Sequence, residues 1–111
     1  MLTIEKESIG PVDVVQVKGR VDGFSAPQLD QALQDSIKNK RYHIVVDLAE
    51  TDYLSSAGMR ALLHARNEAT QKHGDVRLAN LSEFIHEALN LVAFDKLFKI
   101  YDSRDAGVKS F

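Results

Sequence analysis

The chain has 111 residues, 44% hydrophobic and 27% charged, with a formal net charge of −2 and no cysteine. That length and balance suit one globular domain able to bury a core unaided, and the missing cysteines exclude disulfides, thiolate catalysis and cysteine-held metals. The near-neutral charge gives no bulk electrostatic case for nucleic acid or an anionic membrane, so neither direct nucleic-acid contact nor membrane insertion is expected.

The start, MLTIEKES, turns acidic by Glu5 and holds no long apolar run, so it does not read as a signal peptide. No segment approaches the roughly 18 apolar residues of a membrane helix, and the expected location is the cytoplasm. Leu2 and Ile4 alternate with Thr3 and Glu5, which predicts a short half-buried strand. Gly10-Pro11 breaks it, and the run Val12, Val14, Val15, Val17 predicts a second strand ending at Gly19. Two strands this close are most simply an antiparallel hairpin. Ser25-Ala26-Pro27-Gln28 fits a capping box, with Phe24 and Leu29 placed for a hydrophobic staple. Leu29, Ala32, Leu33 and Ile37 then recur at helical spacing, and Lys38, Lys40 and Arg41 close the helix where cations suit its dipole.

His43 to Leu48 reads as a central strand buried on both faces, with Ala49 to Leu54 as a connection. A second helix is predicted from about Ser56 to Lys72, stopped by Gly74. Val76 to Ala79 predicts a short strand. Asn80 is placed to cap a third helix with Glu83 at its third position, and Leu81, Phe84, Ile85, Ala88, Leu89 and Val92 form its apolar face. Phe98 to Tyr101 predicts a last short strand, and Asp102 to Phe111 a further turn of helix. The order β-β-α-β-α-β-α-β is that of a single α/β domain over residues 1–111, a mixed sheet with an N-terminal hairpin packed against helices.

Few residues suggest chemistry. The histidines at 43, 64, 73 and 86 stand at no metal-ligand spacing, so no metal or cofactor is expected. Ser56, His64 and Asp47 can be assembled into a triad on paper, but no G-x-S-x-G elbow supports them. Phosphate-cradling glycine loops are missing. Lys38 to Arg41 reads as a solvated helix end, and the stripe from Leu81 to Val92 as core more than as a partner groove. Asp22-Gly23-Phe24 lies between a strand and a helix, where the carboxylate either closes the turn or meets a partner.

The junction Asp52-Tyr53-Leu54-Ser55-Ser56-Ala57-Gly58-Met59 is the most informative stretch. Serine is a preferred N-cap because its oxygen accepts a bond from an orphan amide, which accounts for Ser55 or Ser56 but not both. Glycine in a first helical turn costs up to about 1 kcal/mol relative to alanine, so Gly58 implies close packing or a close approach from outside. The alternatives are a plain cap and a phospho-acceptor site, since a helix N-terminus tolerates a phosphate.

Gly19-Arg20-Val21-Asp22, Val45-Val46-Asp47-Leu48, the junction around Ser56 and Asp95 to Tyr101 together resemble a STAS domain of the stand-alone bacterial anti-sigma factor antagonist type, nearly end to end. The resemblance implies a cytoplasmic, non-enzymatic binding module, a monomer or weak dimer, that switches partners. Its implied partners are an anti-sigma factor that is also a serine kinase, bound when the antagonist is unmodified, and a phosphatase that resets it. Aligned on Gly58, the family's phosphorylated serine falls on Ser56, with Asp22, Gly23, Phe24, Ser55, Ala57, Gly58 and Met59 on the docking surface. Ser55 stands where the family has aspartate and Ala57 where it has serine or threonine, which makes Ser55 a rival acceptor. The alternative within the family is a constitutive subunit of another complex, such as a lipid-transport ABC system, without phosphorylation. An enzyme or nucleotide binder at the same helix N-terminus is a third reading.

Overall fold

Five strands and four helices make up the computed structural model, which describes all 111 residues. The order is β1 (Leu2–Ile9), β2 (Val12–Val21), α1 (Ala26–Lys38), β3 (His43–Leu54), α2 (Ser56–Gln71), β4 (Asp75–Ala79), α3 (Glu83–Leu91), a 3-10 turn (Phe94–Lys96), β5 (Ile100–Tyr101) and α4 (Arg104–Lys109). The strands form one mixed sheet in chain order, β1 antiparallel to β2 and every later pair parallel. The predicted α/β order and hairpin are what the chain adopts. No helix is long and apolar enough to cross a membrane.

The period of two in β2 and β3 divides the core. Val15, Val17, Ile44, Val46 and Leu48 meet Leu29 and Leu33 of α1, Leu62 and Ala65 of α2, and Ile85 and Leu89 of α3. Burying each such leucine contributes about 1.5–3 kcal/mol. The alternate residues Val12, Val14 and Val45, with Ala79, face the other way, where Val108 of α4 and Phe111 cover them.

Several predicted boundaries move. β2 does not end at Gly19 but runs through it to Val21, because Gly19 at φ +110° accommodates a shift in register against β3. Residues 49–54 continue β3 rather than connecting it to α2. Their stretch pairs with β2 alone, and buried Thr51 donates its hydroxyl proton to the Val17 carbonyl (2.9 Å). The predicted capping box at α1 does not form. Ser25 is in a helical conformation without a side-chain cap bond, Gln28 donates to the Leu2 carbonyl instead, and Phe24 is 98% exposed, too far out to staple Leu29. Ser82, not Asn80, caps α3 by accepting from the Ile85 amide (3.1 Å), because Asn80 at φ +60° turns its amide toward Asp47 (3.0 Å). Only part of the α3 stripe is core, since Phe84 and Val92 are exposed. At the end of α2 the left-handed residue is His73 (φ 64°). Gly74 is required for a different reason: a Cβ there would collide with the Tyr42 backbone.

Candidate functional site

β2 and β3 end side by side, Val21 opposite Leu54, and each strand turns directly into a helix at that end of the sheet. The Ser55 amide donates to the Val21 carbonyl (2.8 Å), which ties the loop before α2 to the loop before α1. Asp22-Gly23-Phe24 and the serine junction, separated by some thirty residues of chain, thus form one continuous surface.

The two serines hold different positions. Ser55 is extended (φ −77°, ψ 168°) and is the N-cap of α2, its Oγ accepting from the Gly58 amide (3.2 Å). Ser56 is the first helical residue, exposed, and its hydroxyl makes no hydrogen bond within the chain. Ala57 is half-buried, while Gly58 and Met59 are buried beneath the junction. A Cβ on Gly58 would stand 2.7 Å from both Leu54 Cδ1 and Val21 Cγ1, so this glycine lets α2 start against the sheet. Of the sequence-predicted residues, Phe24, Gly23, Ser55, Ser56 and Ala57 reach the surface, and Gly58 and Met59 support it from below.

Asp22 closes the turn into α1. Its Oδ1 accepts from the amides of Phe24 and Ser25 (both 3.0 Å), and the Ser25 hydroxyl also lies 3.0 Å away. The Ser25 amide and hydroxyl, then the Phe24 amide, outweigh partial burial and hold this carboxyl below the usual carboxylate range, with Arg20 adding attraction. Arg20 Nε lies 3.6 Å from Asp22 Oδ2, and its guanidinium stacks 4.1 Å over the Tyr53 ring. The turn is therefore rigid, and it presents Phe24 outward.

Between α1 and α2 runs a shallow groove of about 390 Å³, lined by Gly23, Ala26 and Asp30 on one side and Ala57, Arg60 and His64 on the other. Asp30, Arg60 and the placement of His64 in this groove are not among the sequence-predicted site residues. The available signal is spacing, since positions 57, 60, 61 and 64 share one face of a helix. His64 lies near Asp30 (3.8 Å) and Glu68 (3.4 Å), whereas Asp47 is bound to Asn80, Arg104 and the Ala49 amide, so the paper triad with Ser56 is not assembled. Arg41, part of the basic run at the end of α1, is committed to Asp13 (2.9 Å). No cluster of histidine and acidic residues has the arrangement of a metal site.

Residues 3–107 match the STAS domain. Among curated proteins, the chain is 29% identical over 110 residues to BtrV of Bordetella bronchiseptica, which is named as an anti-sigma factor antagonist, covering 99% of this chain and 93% of that one. Among solved structures, an anti-sigma factor antagonist from Mycobacterium paratuberculosis superposes with a TM-score of 0.90 at 24% identity, over 99% of this chain and 93% of that one. The anti-sigma factor antagonist SpoIIAA superposes in its unphosphorylated form with a TM-score of 0.77 at 15% identity, over 97% and 96% of the two chains. Its phosphorylated form, from Bacillus, gives the same TM-score at 14% identity, over 97% and 98%.

Proposed function

The chain belongs to the STAS domain family, and from that premise we propose that residues 1–111 act as an anti-sigma factor antagonist that switches partners through Ser56. In this reading it is a binding module and not an enzyme. The unmodified chain binds an anti-sigma factor that is also a serine kinase, phosphorylation of Ser56 releases it, and a phosphatase restores it. The observation that carries the choice of serine is the division of labour at α2. Ser55 uses its oxygen to cap the helix, while Ser56 is exposed and its hydroxyl is unbonded. The names of BtrV and SpoIIAA, the latter in both phosphorylation states, support the role.

The physics of release follows from the position. A phosphate on the first helical residue meets free amides and the positive end of the helix, so the fold tolerates a charge of roughly −1.5 to −2. A partner docked over Phe24 and the groove has to desolvate that charge, and an unpaired buried charge costs several kcal/mol. Since about 1.4 kcal/mol is tenfold in affinity, one phosphate suffices to dissolve a micromolar complex without refolding the domain.

The test is phosphosite mapping and partner capture with the tagged chain in its native cell. Phosphate is expected on Ser56, retained in Ser55→Ala and lost in Ser56→Ala. Ser55→Ala instead lowers stability by about 1 kcal/mol through the lost cap. Ser56→Asp is expected to weaken the captured complex more than tenfold, and binding as tight as wild type would sink the switch. Co-purification with a transport ATPase, and an intact mass without phosphate, would replace it by the constitutive-subunit reading.

A further inference from the structure

The groove beside Ser56 contains an arginine with nothing to bind. Every other arginine of the chain has a carboxylate neighbour: Arg20 has Asp22, Arg41 has Asp13, Arg66 and Arg77 have Asp75, and Arg104 has Asp47. Arg60 makes neither an ion pair nor a hydrogen bond, although it is exposed and lines the groove between α1 and α2. The groove's carboxylate, Asp30, lies beside His64 instead. Arg60 is four residues beyond Ser56 on α2, so the two positions lie one above the other on one face, with Cβ atoms about 5–6 Å apart. Their order also matters. An anion placed N-terminal to a cation at this spacing is the favourable orientation, because each charge then faces the helix end of opposite sign.

We propose that Arg60 is the intramolecular receptor for a phosphate on Ser56, so that modification both adds charge at the start of α2 and withdraws the groove's unpaired arginine from any docked partner. The inference rests on the Ser56 reading above and specifies how the modified state is held. The phosphate's oxygens accept from the guanidinium, whose planar fork of donors suits them better than an ammonium does. Two changes then reach a partner at once. One is a new anion at the rim, and the other is the loss of a cation that a partner carboxylate could use in the unmodified state. Arg20 does not substitute for Arg60, because it is held between Asp22 and the Tyr53 ring.

The experiment uses the intact chain carrying genetically encoded phosphoserine at position 56, so it needs neither kinase nor partner. Phosphorus NMR follows the second ionisation of the phosphate, near pH 6 in a free phosphoserine, in the chain with its native Arg60 and in the variants Arg60→Gln and Arg60→Lys. The helix amides act equally in all three, so differences report residue 60. The ionisation is expected about 0.3 pH unit or more lower with the native arginine than in Arg60→Gln, an amount in keeping with an exposed helical ion pair, and intermediate in Arg60→Lys. The Arg60 Nε–H proton signal should shift along the same titration curve. Superimposable phosphorus curves for the native chain and Arg60→Gln, or an Arg60 signal that ignores the titration, overturn the proposal. If Ser56 is never phosphorylated in the cell, the preceding reading fails while this titration still decides the pairing.

Discussion

At the scale of single residues, the two neighbouring serines at the start of α2 show how backbone geometry divides equal chemistry. Ser55 is extended and turns its oxygen onward to the Gly58 amide, and Ser56, already helical, is exposed with its hydroxyl unbonded. Two residues on, Gly58 fixes how closely the helix meets the sheet. Gly58→Ala improves helix propensity by up to about 1 kcal/mol. It also drives a methyl group into Val21, which is β-branched and fully buried, and into Leu54. Overpacking of this kind costs about 1–3 kcal/mol, so the balance of the two effects is an expected net loss of about 1 kcal/mol in urea denaturation. A variant as stable as the parent would mean that the helix start moves freely, and Ser56 with it. Arg60 belongs to the same scale: its significance lies in having no partner, and a sequence cannot display that.

At the scale of elements, the ends of strands and helices are set by partners outside them. Asp13 at the start of β2 is 7% exposed, yet it joins three elements. Its carboxylate accepts from Ser8 of β1 (2.9 Å), from Ser36 of α1 (2.7 Å) and from Arg41 just beyond α1 (2.9 Å). Burial by itself raises its pKa, but the bonds from Ser36, Arg41 and Ser8 together outweigh it and bring the carboxyl below the usual range. A carboxyl that titrates lower in the folded than in the unfolded chain binds fewer protons there. Its stabilisation is complete above the unfolded value of about 3.9 and is lost as pH falls through the folded one. Acid unfolding should therefore set in below about pH 4, and Asp13→Asn should flatten that part of the stability curve. Asp13→Ala is expected to cost about 2–3 kcal/mol at neutral pH by leaving Ser36 and Arg41 unmatched. Equal pH dependence of Asp13→Asn and wild type in urea melts would refute the linkage.

At the scale of the whole molecule, the sheet separates a thick layer of three helices from a thin one. The thin layer is α4 and the residues after it, where Phe111 stacks on His43 (4.8 Å) and under the Arg77 guanidinium (4.0 Å). Arg104 lies 3.3 Å from Asp47 Oδ2 and 3.8 Å from Glu7 Oε1, joining the central strand to the edge strand. Removing residues 103–111 uncovers Val12, Val14 and Val45, and strips Asp47 and Arg77 of partners. The truncated chain is expected to lose about 3 kcal/mol or more, measured by urea denaturation. A loss below about 1 kcal/mol would show that α4 is an appendage. The proposed partner surface lies at the ends of β2 and β3, in the loops leading to α1 and α2, so on that proposal truncation should weaken partner binding only through stability.

The element order, the hairpin, the central β3 and the start of α2 were all legible in the chain, because the hydrophobic period is a local property that survives packing. The serine junction was legible as a helix start for the same reason, but which of Ser55 and Ser56 caps the helix was decided only by the backbone geometry. Other features depended on distant contacts. β3 continues through the polar run Ala49-Glu50-Thr51-Asp52 because β2 supplies hydrogen-bond partners along it. The expected caps at Ser25 and Asn80 were displaced by nearer partners, since a side chain bonds whatever its fold brings within reach. The groove with its unpaired Arg60 exists only once α1 lies against α2. Local sequence determined which elements form. The tertiary structure decided which polar groups found partners, because hydrogen bonds and ion pairs join residues whose separation in sequence carries no period.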